Sequence, residues 1–197
     1  MKAFLLEIRI SLLLTLVLAA LLCGAYPLAV WAGAQALFAD RANGSLLVDK
    51  DGTVRGSRLL AQNFSSDRYF HPRPSAAGTG YDALNSSGTN FGPTSQKLAD
   101  SVKAAVADYR AGNSLAATAA VPADAVTSSA SGLDPHISLG NAQTQLARVA
   151  KARGLAVDQV GALLARQAEG RDWGLFGEPR VNVLLLNVAL DQIQPGR

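Results

Sequence analysis

The sequence has few of the residues that build disulfides, metal sites or phosphate sites. One cysteine and two histidines occur among 197 residues, which excludes a disulfide framework and gives no recognised spacing of metal ligands. The glycine-rich run at residues 78–92 lacks the lysine of a phosphate-binding loop. No Gly-x-Ser-x-Gly turn occurs, which disfavours an esterase-type nucleophile. We therefore expect no catalytic residue, no metal and no cofactor belonging to this chain alone.

The chain also has only a small excess of positive over negative charge. The whole chain carries +3, and removing Lys2, Glu7 and Arg9 at the start leaves +2 for the remainder. These charges are scattered along the chain rather than clustered on one segment. A nucleic-acid partner is therefore not expected.

Apolar residues are abundant near the N-terminus. Residues 10–30 read ISLLLTLVLAALLCGAYPLAV and carry no charge. At about 1.5 Å per residue they would form roughly 30 Å of helix, which is the thickness of a bilayer core. We predict a transmembrane helix at residues 10–31. A signal peptide cleaved after the Ala-Gly-Ala at 32–34 and a lipoprotein anchored through Cys23 are the alternatives. The first has a shorter apolar stretch, and the second needs a small residue where Leu22 stands.

The flanks of this segment predict its orientation and a partner. Lys2 and Arg9 precede it, whereas the first cation after it is Arg41. Residues 1–9 are then cytoplasmic, and residues 35–197 form the extracytoplasmic domain of a single-pass protein. Small residues four positions apart would let another transmembrane helix approach closely, and a lone anchor is the alternative. They are Ala20, Gly24, Ala25 and Ala29.

The sequence of the outer domain predicts the α+β class. We expect one domain in which helices and strands are mixed, a single mixed α/β domain. A hairpin is predicted around Asp51-Gly52. Helices are predicted after Ser95 to about residue 112, between Ser138 and Gly154, and at 157–168, followed by a strand and a short helix in RVNVLLLNVALD. In the second helix we expect Leu146, Val149 and Ala150 to face inward. The cations Arg148, Lys151 and Arg153 are expected to face outward.

Residues 65–94 show almost no periodicity. Three prolines and four aromatic residues in this run predict a long ordered loop rather than disorder. We interpret it, with the Asp134-Pro135 turn, as a pre-shaped docking surface for partner proteins. The predicted partner-binding residues are Tyr69, Phe70, His71, Arg73, Tyr81, Asn90, Asp134 and His136.

Several segments resemble, in order, the C subunit of the Kdp-type potassium-transporting ATPase. They are GSRLLAQNF, YFHPRPSAAGTGYDALNSSGTNFGPT, VPADAVTSSASGLDPHIS, RVAKARGL and GEPRVNVLLLNVALD, and the similarity covers nearly the whole chain. The resemblance implies a non-pumping accessory subunit, not itself an enzyme, of a high-affinity potassium uptake complex in a bacterial inner membrane. Its partners would be a potassium-selecting channel-like subunit and a P-type ATPase subunit. It also implies a catalytic chaperone that raises the ATP affinity of the ATPase subunit.

In that family a glutamine proposed to contact the nucleotide would correspond to Gln145, with ATP shared with the ATPase subunit. The charge asymmetry, however, places the domain on the side of the membrane without cytoplasmic ATP. Two other functions stay open at this point. Ser131, Asp134 and His136 are the residue types of a membrane-tethered hydrolase, although six consecutive positions seldom form a relay. The second alternative function is a stand-alone solute-binding module.

Overall fold

The computed structural model describes residues 1–193, which fall into two compact units, Met1–Ser57 and the chain from Arg58 onward. Its helices and sheets confirm the predicted α+β class. The first unit extends past residue 35, the predicted start of the outer domain, because it includes a β-hairpin. The Ser57 hydroxyl donates to the carbonyl of Gly44 at 2.7 Å and ties this hairpin to the end of the preceding helix.

A single apolar helix dominates the first unit. It comprises α1 (Lys2–Ala19), a π-helical turn (Ala20–Ala25) and α2 (Tyr26–Ala42). Its most apolar stretch has a mean hydropathy of 2.3, and none of that stretch is buried within the chain. Length and composition suffice for one membrane crossing, and so many exposed apolar side chains need an apolar environment to cover them.

The π-helical turn lies just before Pro27. Proline has no N–H to donate and its ring crowds the preceding turn, so an uninterrupted α-helix is strained there. The widened turn relieves that crowding, and the N–H of Tyr26 reaches the carbonyl of Leu21. A second irregularity occurs at Phe38, whose φ of −140° kinks α2 near its end.

The predicted hairpin is confirmed. Strands β1 (Leu46–Val48) and β2 (Val54–Ser57) pair antiparallel. Gly52 in the turn has a φ of +80°, a conformation that glycine adopts without steric cost. The N–H of Asp49 donates to the carbonyl of Thr53 at 2.9 Å and closes the loop.

The second unit packs helices on a small sheet. Strands β3 (His136–Ser138), β4 (Ala168–Glu169) and β5 (Arg180–Asn182) are antiparallel in the order β3-β5-β4. Its helices are α3 (Gln96–Gly112), α4 (Leu139–Arg153), α5 (Val157–Gln167) and α6 (Val183–Ile193), with 3₁₀ turns at Ala83–Asn85 and Ala123–Ala125. The four predicted helices are confirmed, and the three for which bounds were predicted agree to within one or two residues. Strands β3 and β4 were not predicted, since two or three residues show no alternation.

The core lies where α4, α5 and α6 meet the central strand β5. Ile137 and Ala168 flank Val181 from the two outer strands, and Val181 is fully buried. The helices contribute apolar stripes at the spacing of successive turns. The main members are Phe70, Ile137, Val149, Val160, Leu164, Val181, Leu186 and Leu190.

Residues 65–94 form an ordered loop with one 3₁₀ turn, but the first part of this loop belongs to the core. Phe70 has an exposed fraction of 0%, so its predicted role as a partner-contacting residue is wrong. The side chain of Asn187 on α6 binds the backbone of Phe70. Its Oδ1 accepts from the N–H of Phe70 at 2.9 Å, and its Nδ2 donates to the carbonyl of Phe70 at 2.9 Å.

Replacing Asn187 by Ala should lower the free energy of unfolding of the full chain by about 2–4 kcal/mol, because two buried backbone groups lose their partners. Chemical unfolding in detergent, followed by circular dichroism, measures the change. Asn63→Ala, at an exposed position, is the matched control and should change it by less than about 0.5 kcal/mol. Equal stabilities of the two variants would contradict this role of Asn187.

Candidate functional site

Gln145 lies on α4 beneath residues 67–71, a segment that we name the strap. Its exposed fraction is 1%. Its Oε1 accepts from the N–H of His71 and from Nη2 of Arg148, both at 2.7 Å. Its Nε2 donates to the carbonyl of His71 at 3.1 Å and to Oδ1 of Asn141 at 2.9 Å. These four bonds use the full capacity of the amide.

Arg148 continues the same face of α4, one turn further on. Its Nη1 donates to the carbonyls of Asp67 at 2.8 Å and Tyr69 at 3.0 Å, and its Nε donates to Oδ1 of Asn113 at 3.0 Å. Burial lowers the pKa of Arg148 from its usual value, although the nearby Asp67 carboxylate acts in the opposite direction. The guanidinium thus joins the strap to α4 and to the end of α3.

Arg153 secures the other end of the strap. Its Nε donates to the carbonyl of Arg68 at 2.6 Å, and its Nη2 donates to the Asp191 carboxylate at 2.7 Å. Its guanidinium also lies 4.9 Å from the centre of the Tyr69 ring, within the range of a cation–π contact. Tyr69 in turn donates its hydroxyl to Asp191 at 3.0 Å. The strap is therefore bonded to α4 and α6 along its whole length.

The predicted outward orientation of Arg148 and Arg153 is wrong, since both are buried, whereas Lys151 is exposed as expected. Their role at the strap was also missed. Asn141, Gln145 and Arg148 recur at spacings of four and three, which places them on one helical face. That polar stripe beside the apolar one was the available signal.

A cleft of about 400 Å³ lies between the strap, α3 and α4. Burial, and then the charge of Arg148, lowers the pKa of His71, so its ring is neutral at pH 7. Burial raises the pKa of Tyr109 to about 12. The Tyr109 hydroxyl donates to Oδ1 of Asn141 at 2.8 Å, and Nε2 of His71 lies 3.1 Å from the carbonyl of Ser66. The cleft is thus lined by neutral rings, the Asp108 carboxylate and a guanidinium already bonded to the strap.

A second cluster joins Arg73, Asp134 and His136. Arg73 Nη1 donates to Oδ2 of Asp134 at 2.9 Å, and the N–H of His136 donates to Oδ1 at 3.0 Å. The Tyr81 hydroxyl donates to the carbonyl of Arg73 at 2.8 Å. Burial by itself would raise the pKa of Asp134, but the hydrogen bonds from His136 and Arg73 and the charge of Arg73 lower it to about 2. The aspartate is held as an anion at the turn, which confirms its predicted role there.

The structure thus brings most of the predicted partner-binding residues into two internal clusters. Tyr69 and His71 lie in the strap, and Arg73, Tyr81, Asp134 and His136 lie around the Asp-Pro turn. Asn90 is apart from both, exposed and in a left-handed conformation at a φ of +53°. Contact of these residues with a partner stays a prediction, whereas their contacts with one another are direct.

The hydrolase hypothesis finds no relay. Ser131 Oγ accepts from the N–H of Leu133 at 3.1 Å and lies 3.3 Å from Ser129 Oγ. Within residues 1–193, no hydrogen bond joins Ser131 to His136, and no group of three or more potential metal ligands is present. The Ser131 hydroxyl therefore stabilises a local turn.

Comparison with known families matches residues 8–192 to KdpC, the c chain of the K⁺-transporting ATPase. The chain belongs to the KdpC family. It is 54% identical over 191 residues to the potassium-transporting ATPase KdpC subunit of Nitratidesulfovibrio vulgaris, covering 96% of both chains. It is 51% identical to that of Koribacter versatilis over 94% of both chains. It is 52% identical to that of Mycobacterium tuberculosis over 85% of this chain and 88% of the relative. The resemblance inferred from the sequence segments is confirmed.

Replacing Gln145 by Ala should destabilise this KdpC chain by about 2–4 kcal/mol, because the strap backbone and Arg148 lose buried partners. Equilibrium unfolding of the full chain in detergent measures it. Gln143→Ala, two residues away on the exposed side of α4, is the matched control and should be near neutral. A Gln145→Ala chain as stable as this control would contradict the structural role.

Asp134 should make stability depend on acidity. Its folded-state pKa of about 2 lies below the usual 3.8, so it stabilises the fold above about pH 4. That contribution is lost as the pH falls towards 2. Because the pair is partly exposed, we expect about 1–2 kcal/mol. Asp134→Asn should be less stable at pH 7 and lose less stability between pH 4 and 2. Asp108→Asn removes an exposed carboxylate and should show the same pH dependence of stability as the unmodified chain. If the stability of Asp134→Asn falls with pH in parallel with that of the unmodified chain, the assignment is refuted.

Proposed function

We propose that this chain is a non-pumping accessory subunit of a high-affinity, ATP-driven potassium uptake complex. In this proposal it assembles and stabilises a potassium-selecting subunit and a P-type ATPase subunit in a bacterial inner membrane. The observation that supports it most directly is the apolar helix of the first unit, whose exposed side chains need covering. Its family membership supports the choice of complex.

The small residues of the helix supply a contact for another transmembrane helix. A side chain added at Gly24 would meet nothing within 4 Å, so glycine is not required there by the packing of this chain. Small residues let two helix backbones approach closely in a membrane, where packing and hydrogen bonds drive association. We place the partner helix against Ala20 and Gly24 on one stretch and Ala25 and Ala29 on the next.

The second unit then acts by docking rather than by chemistry. The positive residues before the helix favour a cytoplasmic N-terminus, with this unit on the opposite side of the membrane. The bonds of Gln145 inside the fold support an indirect effect on the ATP affinity of the ATPase subunit. A direct contact with nucleotide would require breaking several buried hydrogen bonds.

The experiment is co-purification after gentle detergent extraction of membranes that contain all subunits. The unmodified chain should copurify with a P-type ATPase polypeptide. Gly24→Leu should reduce the recovered complex about tenfold, because the added side chain separates the helices. Stability of the isolated chain should not change, since the position is open within it.

Leu22→Phe is the matched control, since it adds bulk two residues away on the opposite side of the helix. It should leave the recovered complex near the unmodified amount. Absence of any ATPase polypeptide from the unmodified preparation would refute the proposed function. If Gly24→Leu and Leu22→Phe reduce the recovered complex equally, only the assigned helix face is refuted and the proposed function stands.

A further inference from the structure

The connection between β4 and β5 ends in three exposed apolar side chains. Trp173, Leu175 and Phe176, which we name the apolar tip, have exposed fractions of 90%, 74% and 61%. The rings of Trp173 and Phe176 meet edge to face, with centroids 6.0 Å apart and planes at 79°. Their mutual contact leaves most of both rings in solvent.

Four of the five backbone N–H groups at 172–176 donate hydrogen bonds within the hairpin. The N–H of Asp172 donates to the carbonyl of Phe176 at 2.8 Å, and the N–H of Phe176 donates back at 3.0 Å. Below them, Arg171 donates to both carboxylate oxygens of Glu178 at 2.9 and 2.8 Å, and Arg180 lies 3.2 Å from Asp172. The tip is a braced hairpin, so little conformational entropy remains to be lost when it binds something.

Trp173 occupies a conformation that its side chain disfavours. Its φ is +52°, in the left-handed region that glycine and asparagine enter at lower cost. The side chain obtains little burial in return, since nine-tenths of it is exposed. A bulky ring held in a strained and solvated position indicates a role outside folding.

We propose that the apolar tip inserts into an apolar pocket of another protein subunit of the ATPase complex. This inference rests on the proposed function and adds a contact to it. Edge-to-face aromatic residues on a braced hairpin have the character of interface anchors, which are enriched in tryptophan and gain most from full desolvation.

Charge argues against a lipid surface as the occupant. Three carboxylates, on Glu169, Asp172 and Glu178, surround the base of the hairpin together with two guanidinium groups, on Arg171 and Arg180. Peripheral insertion into anionic membranes normally combines apolar residues with an excess of positive charge. Here the cations are paired with carboxylates and no such excess exists.

Area argues against a second copy of this chain. At 150–250 Å² for each aromatic side chain, the tip can bury roughly 500 Å². A stable interface needs about 800 Å² from each partner. The tip therefore suits one anchor within a larger contact between different subunits, to which the apolar helix contributes elsewhere.

The test uses the full chain produced together with the other subunits. Changing Trp173→Asn, Leu175→Ser and Phe176→Ser together should lower the complex recovered in mild detergent about tenfold, as expected for loss of an interface anchor. The unfolding midpoint of the variant chain alone should stay unchanged, since the replaced side chains are exposed. Ile193→Ser, at another exposed apolar residue, is the control and should leave the recovered complex unchanged.

A photo-crosslinker identifies the occupant directly, even if the triple variant folds poorly. Benzoylphenylalanine at position 176 should give an adduct with a different polypeptide of the complex. An adduct with a second copy of this chain, with lipid alone, or with nothing would overturn the inference. Recovery of the triple variant equal to that of the unmodified chain would overturn it while leaving the proposed function intact. Failure of the unmodified chain to copurify would overturn both.

Discussion

The second unit depends on the hydrogen bonds that side chains of α4 and α6 make to the backbone of the strap. Residues 67–71 form no helix or strand, yet Phe70 at their centre is part of the core. Backbone N–H and C=O groups taken out of water must find partners. Gln145, Arg148, Arg153 and Asn187 provide those partners, and the apolar burial of Phe70 depends on them.

This arrangement separates internal roles from external ones. The polar residues that attract attention in the sequence, among them His71, Arg73 and Asp134, are bonded within the fold. Exposed apolar side chains extend along the N-terminal helix and cluster at the hairpin between β4 and β5. An accessory subunit with such surfaces can act by contact alone, and its polar interior serves to keep the contacting elements in shape.

The extent to which the sequence predicts this structure follows from the range of each interaction. Helices α3 to α6 and the first hairpin are marked by local signals, such as Ser138 at a helix start and Gly154 at its end. The strap has no such local signal, because the side chains that bind its backbone lie more than 70 residues away in the sequence. Gln145, which accepts from the N–H of His71, is an example. Long polar side chains look alike in a sequence whether they face water or a distant carbonyl. Arg148 and Arg153 were therefore misassigned, whereas Lys151 between them was not.

The π-helical turn before Pro27 has a geometric consequence for the apolar N-terminal helix. A turn of this kind accommodates about one additional residue, which rotates everything beyond it by roughly 100° relative to a regular α-helix. The small residues at 20, 24, 25 and 29 consequently do not form one straight ridge. Ala20, Gly24 and Ala25 lie within the turn, whereas Ala29 lies beyond it and faces a different direction from the one a regular α-helix would give it. A single partner helix can therefore stay in close contact with both pairs only if it changes its crossing direction at the turn.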